Sequence, residues 1–209
     1  KTLREEFNIQ SALEIQYETH YLRFLMPTIR GSELGTKKRY AGLIDVNGTR
    51  EMVFKGLENV RTDWTLLAKE FQSELYRKIF NGEDYLDFVR ATNDRVLAGQ
   101  CDMDLIYRKR LRRHLHEYQK NVPPHVQAAR KYAQLTGETL RRGDWISYLI
   151  TTSGPEPVGS YEVDLALLQS PIDYRHYIEK QLSPVADSIL HFLDESLTQL
   201  VDQQLSLFG

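Results

Sequence analysis

Cysteine is almost missing: Cys101 stands alone in 209 residues. That excludes an internal disulfide framework and a four-thiolate metal site, and it makes a reducing compartment, the cytoplasm, the expected setting. Long hydrophobic runs are lacking too. No stretch approaches the ~18 apolar residues of a membrane span, so no membrane partner is expected. There is no Walker loop, no GxGxxG and no HExxH, and the six histidines show no metal spacing beyond a lone His114-Leu115-His116, which reads as incidental surface. Cys101 has no evident histidine partner and reads as an inert thiol. A strong charge imbalance is absent as well: a net charge of −2 argues against a protein that coats nucleic acid over its whole surface. Finally, Lys1-Thr2-Leu3-Arg4-Glu5-Glu6 has no initiator Met, signal core or cleavage pattern. It reads as the interior of a helix in a longer chain.

What is present describes a soluble, folded protein of one domain or two smaller ones, with 41% apolar and 27% charged residues near globular averages. The first third alternates as strands do. Leu13-Glu14-Ile15-Gln16-Tyr17 and Tyr21 to Met26 suggest one hairpin; Tyr40 to Asp45 and Glu51 to Lys55, flanking Asn47-Gly48, suggest a second. An antiparallel sheet of about four strands is expected. From Thr62-Asp63, either of which suits a cap, the period becomes helical through Trp64, Leu67, Ala68, Phe71, Leu75 and Ile79, and Asn81-Gly82 ends that helix. A second helix spans about Glu83 to Ala98, and Pro123-Pro124 introduces a short third. Trp145 to Ile150 reads as an isolated strand and Thr152 to Ser170 as a surface loop. One long amphipathic helix is expected to carry Leu182, Val185, Ile189, Phe192, Leu193, Leu197 and Leu200 on a single side. The expected fold is α+β: a small antiparallel sheet, then a mostly helical domain, divided near Val60 to Asp63.

Charge is concentrated rather than abundant. Five of six positions from Arg108 to Arg113 are basic: Arg108, Lys109, Arg110, Arg112 and Arg113. On a helix or a strand they cannot all face one way, so some are expected to be structural or idle. A smaller cluster, Lys37-Lys38-Arg39-Tyr40, stands where a strand begins. Either cluster suits phosphate oxygens, although each in isolation reads as a solvated charged segment. Asp102-Met103-Asp104 is the nearest thing to a paired carboxylate and is expected to cap a helix or turn.

Lys37-Lys38-Arg39-Tyr40-Ala41-Gly42 resembles the K-K-x-Y-A-G motif of family B DNA polymerases, with arginine where lysine is commoner. Phe54-Lys55-Gly56-Leu57-Glu58 with Val60-Arg61-Thr62-Asp63-Trp64 is similar to that family's K-G-x-E-x-V-R-x-D-W. Lys109, Leu111 and Arg113 resemble its K-x-L-x-R segment. Pro123 to Ala129, Arg142 to Tyr148 and Ile172 to Pro184 resemble further motifs in the same order, so the likeness runs over about residues 13 to 208. It implies that residues 1–62 are the carboxy-terminal part of a palm, 63–203 a thumb and 204–209 a tail. It implies primer-template DNA as partner, held by Lys37, Lys38, Arg39, Tyr40, Arg61, Arg108, Lys109, Arg110, Arg112 and Arg113 through phosphates and without reading sequence. The tail Gln204-Leu205-Ser206-Leu207-Phe208 resembles the Q-L-x-L-F peptide by which bacterial polymerases dock on a sliding clamp, with Gln204, Leu205, Leu207 and Phe208 as the contacts.

Nucleotidyl transfer needs carboxylates holding two Mg²⁺ ions about 3.5–4 Å apart. The family supplies them from D-x-x-S-L-Y-P-S and D-T-D-S, and this chain has neither. No catalytic residue and no metal ligand is therefore expected here. Mg²⁺, deoxynucleoside triphosphates and a 3′–5′ exonuclease are implied for a full-length enzyme, and the chain alone is expected to be inactive. The alternative reading is a free-standing DNA- or clamp-binding adaptor.

Overall fold

A computed structural model describes residues 19–27, 38–159 and 168–206, with side chains through residue 202. The fold is α+β, with two three-stranded antiparallel sheets and a set of helices around them. The first sheet is ordered β1 (Tyr21–Leu25), β2 (Tyr40–Val46), β3 (Thr49–Lys55). Its β2-β3 turn is the expected one: Asn47 and Gly48 both take positive φ, 54° and 84°, and the Gly48 N–H donates to the Asp45 carboxylate at 2.7 Å. Positive φ at both positions matches the twist of the strands the turn joins. Leu13–Tyr17, the expected partner of Tyr21–Met26, lies outside the described residues, among which this sheet has three strands. Strand β1 pairs with β2, and at Gly42 any Cβ would collide with the Tyr21 ring.

Helix α1 (Leu66–Asn81) starts later than the sequence suggests. Its cap is Thr65, whose hydroxyl accepts from the Ala68 N–H at 3.3 Å; the Asp63 carboxylate, one of the two expected caps, is engaged by Arg61 and Lys109. The helix buries Leu67, Ala68, Phe71, Leu75, Tyr76 and Phe80 and ends at Gly82 in the left-handed region. Helix α2 (Leu86–Leu97) follows and buries Val89 and Val96. Helix α3 (Pro124–Thr136) begins on its proline as expected, since the absent N–H of Pro is not needed in a first turn.

Three expectations are corrected. Trp145 to Ile150 is not an isolated strand: β5 (Trp145–Thr151) is the centre of a second sheet between β4 (Tyr107–Arg110) and β6 (Gly154–Pro157). The expected loop after Thr152 therefore contains a strand. Its prolines, Pro155 and Pro157, signalled a loop, but an edge strand tolerates them because part of its N–H row has no ladder partner. The long carboxy-terminal helix is divided. Helix α4 (Tyr174–Tyr177) passes through a π turn at Ile178–Leu182 into α5 (Ser183–Leu190). Asp194 then takes φ 58° before α6 (Leu197–Ser206). The Asp187 carboxylate accepts from the Leu197 N–H at 2.8 Å and fixes the restart. Phe192 and Leu193, lying in the break, are 48% and 41% exposed, whereas Leu182, Val185, Ile189, Leu197 and Leu200 are buried.

A single apolar cluster joins Ala41, Leu43 and Leu57 to Phe71 and Leu75 of α1 and to Leu111, Tyr148, Leu149, Leu182 and Leu190. Each such buried side chain contributes roughly 1.5–3 kcal/mol. Long-range hydrogen bonds pair polar groups within it, as burial favours. The backbone N–H and hydroxyl of Thr65 both donate to Gln181 Oε1, at 3.3 and 3.1 Å, and the Ile150 N–H donates to the Tyr177 hydroxyl at 2.8 Å. The β4-β5 ribbon is thus fixed from one side by the core, which leaves Arg108 and Arg110 to the other.

Candidate nucleic-acid interface

Alternation along β4 sorts the basic run. Tyr107 is buried and stacks on its cross-strand partner Tyr148, ring centroids 5.2 Å apart, so Arg108 and Arg110 take the opposite face and are exposed. Arg110 is opposite Trp145, which makes Arg108 the diagonal neighbour of that indole; its guanidinium lies 5.0 Å from the ring centroid. Arg110 Nε donates to the Gly143 carbonyl at 2.8 Å. The turn carrying that carbonyl is itself pinned, with the Gly143 N–H on the Leu111 carbonyl and the Leu111 N–H on the Asp144 carbonyl, both at 2.8 Å.

Lys109, on the Tyr107 face, reaches Asp63 at 3.6 Å. The same carboxylate accepts two bonds from Arg61, at 3.0 Å from Nε and 2.9 Å from Nη2. Arg112 and Arg113 follow the strand, exposed, with no hydrogen bond or ion pair among the described residues.

These side chains converge on one open cleft of about 1260 Å³. Its lining includes Arg61, Arg108, Lys109, Arg110, Arg112, Arg113 and Arg142, with Tyr118, His125 and Trp145, and Asp63 as its carboxylate. As expected, the five cations do not all face one way, since Lys109 lies on the face opposite Arg108 and Arg110, and Lys109 and Arg110 have structural partners; yet all five border one concavity. The strand ends inside the concavity, so both of its faces and the residues after it border the same space. Several cations in one concavity focus a positive field. Burial works to raise the Asp63 pKa, but the hydrogen bond and charge of Arg61, with the charge of Lys109, hold it below the ordinary carboxylate value. His125 is shifted down, by burial first and then by the Lys109 and Arg112 charges, and is neutral near pH 7.

The other expected DNA contacts lie elsewhere. Lys37 is outside the described residues, and Lys38 is exposed at the start of β2. Arg39 forms an ion pair with Glu58, whose second oxygen accepts from Gln72 Nε2 at 2.8 Å; Gln72 in turn accepts from the Asn59 N–H at 2.7 Å. Arg39 thereby fastens β2 to the turn that precedes Arg61. Tyr40 packs its ring near Tyr21 and Phe24, at 6.2 and 5.2 Å between centroids. Of the tail contacts, the backbone of Gln204 and Leu205 belongs to α6, while Leu207 and Phe208 lie outside the described residues.

Asp102 does not cap its turn as expected. It stands in the first turn of a short 3₁₀ segment, Asp102–Leu105, where burial raises its pKa against a hydrogen bond from the Tyr174 hydroxyl. Cys101 is buried, and burial raises its thiol pKa. Among the described residues, no three His, Cys, Asp or Glu side chains gather as metal ligands.

Sequence reasoning missed Asp63, Tyr118, His125, Arg142 and Trp145 as cleft residues. The signal for Arg142 and Trp145 was the turn Arg142-Gly143-Asp144 placed next to a strand: pairing that strand with the basic run brings both into the site. Nothing local marked Asp63 as a partner of Lys109, 46 positions away by number (109 − 63).

Comparison with known proteins agrees with the motif order. Residues 5–193 match the family described as DNA polymerase family B. The chain is 53% identical, over its whole length, to the DNA polymerase II of Escherichia coli strain K12, of which it covers 26%. It is 31% identical over 85% of its length to a DNA polymerase of Pyrococcus glycovorans, covering 22% of that protein. It is 35% identical over 75% of its length to DNA polymerase 2 of Aeropyrum pernix, covering 19%. The chain thus spans about a quarter or less of these curated relatives. On its motifs and on this match over most of its length, the chain belongs to DNA polymerase family B.

Proposed function

We propose that this chain is the carboxy-terminal palm edge and thumb of a polymerase akin to DNA polymerase II, and that its cleft grips primer-template duplex through phosphates. The observation that carries the reading is the gathering of Arg61, Arg142 and the whole 108–113 run around one concavity. Cations placed on phosphates release condensed counterions and hold all sequences alike, which is what a template-copying enzyme requires. Arg112 and Arg113 make the first contacts because, among the described residues, no hydrogen bond or ion pair occupies them. Arg61 and Lys109 approach as a unit fastened by Asp63.

In this reading residues 1–62 complete the palm, 63–203 form the thumb, and the tail from Gln204 docks a sliding clamp through Gln204, Leu205, Leu207 and Phe208. The whole protein acts in the cytoplasm, on the nucleoid. Mg²⁺, deoxynucleoside triphosphates and exonuclease chemistry belong to the remainder of the polymerase, so the chain alone grips DNA without extending a primer.

Salt titration of duplex binding tests the grip. With about four or five phosphates neutralised, log K falls with log[salt] at a slope of roughly −4; a salt-independent affinity would refute the phosphate contacts. Clamp docking has its own test. Deleting Gln204 to Gly209 is expected to abolish clamp binding while sparing duplex binding, and unchanged clamp affinity would exclude the tail.

A further inference from the structure

Trp145 is a large aromatic that the core does not use. The other tryptophan, Trp64, packs against the apolar cluster; Trp145 is 45% exposed, while every residue after it in β5, Ile146 to Thr151, is buried. It sits in the wall of the cation-lined cleft, with the Arg108 guanidinium 5.0 Å from its ring centroid. An indole cannot bind phosphate oxygens as a cation does. Its one polar atom is a single N–H, and the rest of its surface gains from apolar or π contact.

Within a DNA duplex the faces of the bases are covered by their neighbours, so away from duplex ends a ring in this cleft finds an open base face only where a base is unpaired. Arg108 extends the platform, because a planar guanidinium stacks on aromatic faces while remaining cationic. The turn beneath is rigid: Arg110, opposite Trp145, is held by the Gly143 carbonyl at 2.8 Å, and the β4-β5 pairing fixes the backbone of both platform residues. Aromatic rings beside a backbone-tracking positive groove are the two components of single-strand binding.

We propose that Trp145 with Arg108 is a stacking platform for an unpaired nucleobase, so that the cleft takes single-stranded DNA in addition to duplex. The proposal rests on the reading of the cleft as a nucleic-acid interface. It assigns different tasks to neighbouring groups: Arg112 and Arg113 hold phosphates of any DNA, and Trp145 responds only to a base whose face is open.

The test compares the chain with its W145A and W145F variants on two probes at low salt, a labelled oligothymidylate and a labelled two-stranded duplex without overhangs, by fluorescence anisotropy. W145A is expected to weaken oligothymidylate binding about 10-fold or more, W145F by no more than about 3-fold, and neither to change duplex affinity beyond about 2-fold. Intrinsic emission gives a second readout. Oligothymidylate is expected to quench the unaltered chain more than W145F, because only the former has an indole at the platform.

Equal losses on both probes would assign Trp145 to the duplex and overturn the proposal. So would the absence of loss and quenching while duplex binding persists. Failure of the unaltered chain to bind either probe would instead bring down the nucleic-acid reading on which the proposal depends. Coincident thermal melts of the three proteins separate a lost contact from a lost fold.

Discussion

At the start of β2, Arg39 turns to Glu58 and Tyr40 packs beside Tyr21 and Phe24; in β4, Arg108 and Arg110 leave the core side and border an open cleft. Both segments are cationic, both sit in a three-stranded antiparallel sheet, and both resemble polymerase motifs. The difference lies in what each strand faces. Beside β2 is a buried carboxylate, Glu58, 7% exposed, which holds Arg39 as its ion-pair partner. Beside β4 stands a pair of stacked tyrosines, Tyr107 and Tyr148, which occupy the inner face and leave the arginines outside. A cationic motif is therefore a structural fastener or a ligand site according to its neighbours, and density of charge along the sequence does not separate the two.

The largest effect expected from testing that contrast is on stability. Replacing Glu58 by Ala removes the ion pair of Arg39 and the acceptor of Gln72 Nε2. A fully buried broken pair costs about 3–5 kcal/mol, and the 28% exposure of the Arg39 side chain lowers the expectation to roughly 2–3 kcal/mol in denaturant unfolding. A change under about 0.5 kcal/mol, the usual range for a surface substitution, would show that Arg39 is available to DNA after all.

Next in size is the R112A/R113A double variant. It is expected to keep the stability of the parent within about 0.5 kcal/mol while losing about 10-fold in duplex affinity and flattening the salt slope by about 2. Loss of stability without loss of binding would reverse the two assignments.

The smallest effect is a pH dependence from His125. Its folded-state pKa is lowered, so its contribution to stability is full above the unfolded value of about 6.5 and declines as pH falls below it. Phosphate in the cleft acts in the opposite direction by favouring the imidazolium. Duplex affinity is therefore expected to rise about 3-fold as pH falls from about 7.5 to about 5.5, and the H125Q variant to lose most of that rise. A pH-independent affinity ratio between the two proteins would remove His125 from the interface.

Much of the fold was legible because it rests on local chemistry. Asn47-Gly48 specified its hairpin, Gly82 ended α1, and Pro124 opened α3. Two of the failures share a cause, which is that a deciding partner was distant. Asp63 did not cap α1 because Lys109 and Arg61 engage it, and Trp145 was not isolated because the basic run pairs with it. The carboxy-terminal helix was drawn as continuous because apolar spacing persisted through Phe192 and Leu193, while the left-handed Asp194 that divides it carries no sign as specific as glycine. In the site, the cations of the 108–113 run were legible from composition, whereas Arg142 and Trp145 required the β4-β5 register. The role of Arg39 required knowledge of where Glu58 is buried.

The bond between Thr65 and Gln181 joins residues 116 apart in sequence. Closing so long a loop carries an entropic cost that is repaid only after the intervening helices and sheet have formed. This fastening is consequently expected on the late side of the folding barrier. Its work is to slow escape from the native state and not to hasten arrival there. The start of α1 and the π turn thus act as a latch, and the time for which the cleft keeps its shape is set in part by an amide and a hydroxyl on separate elements of the fold.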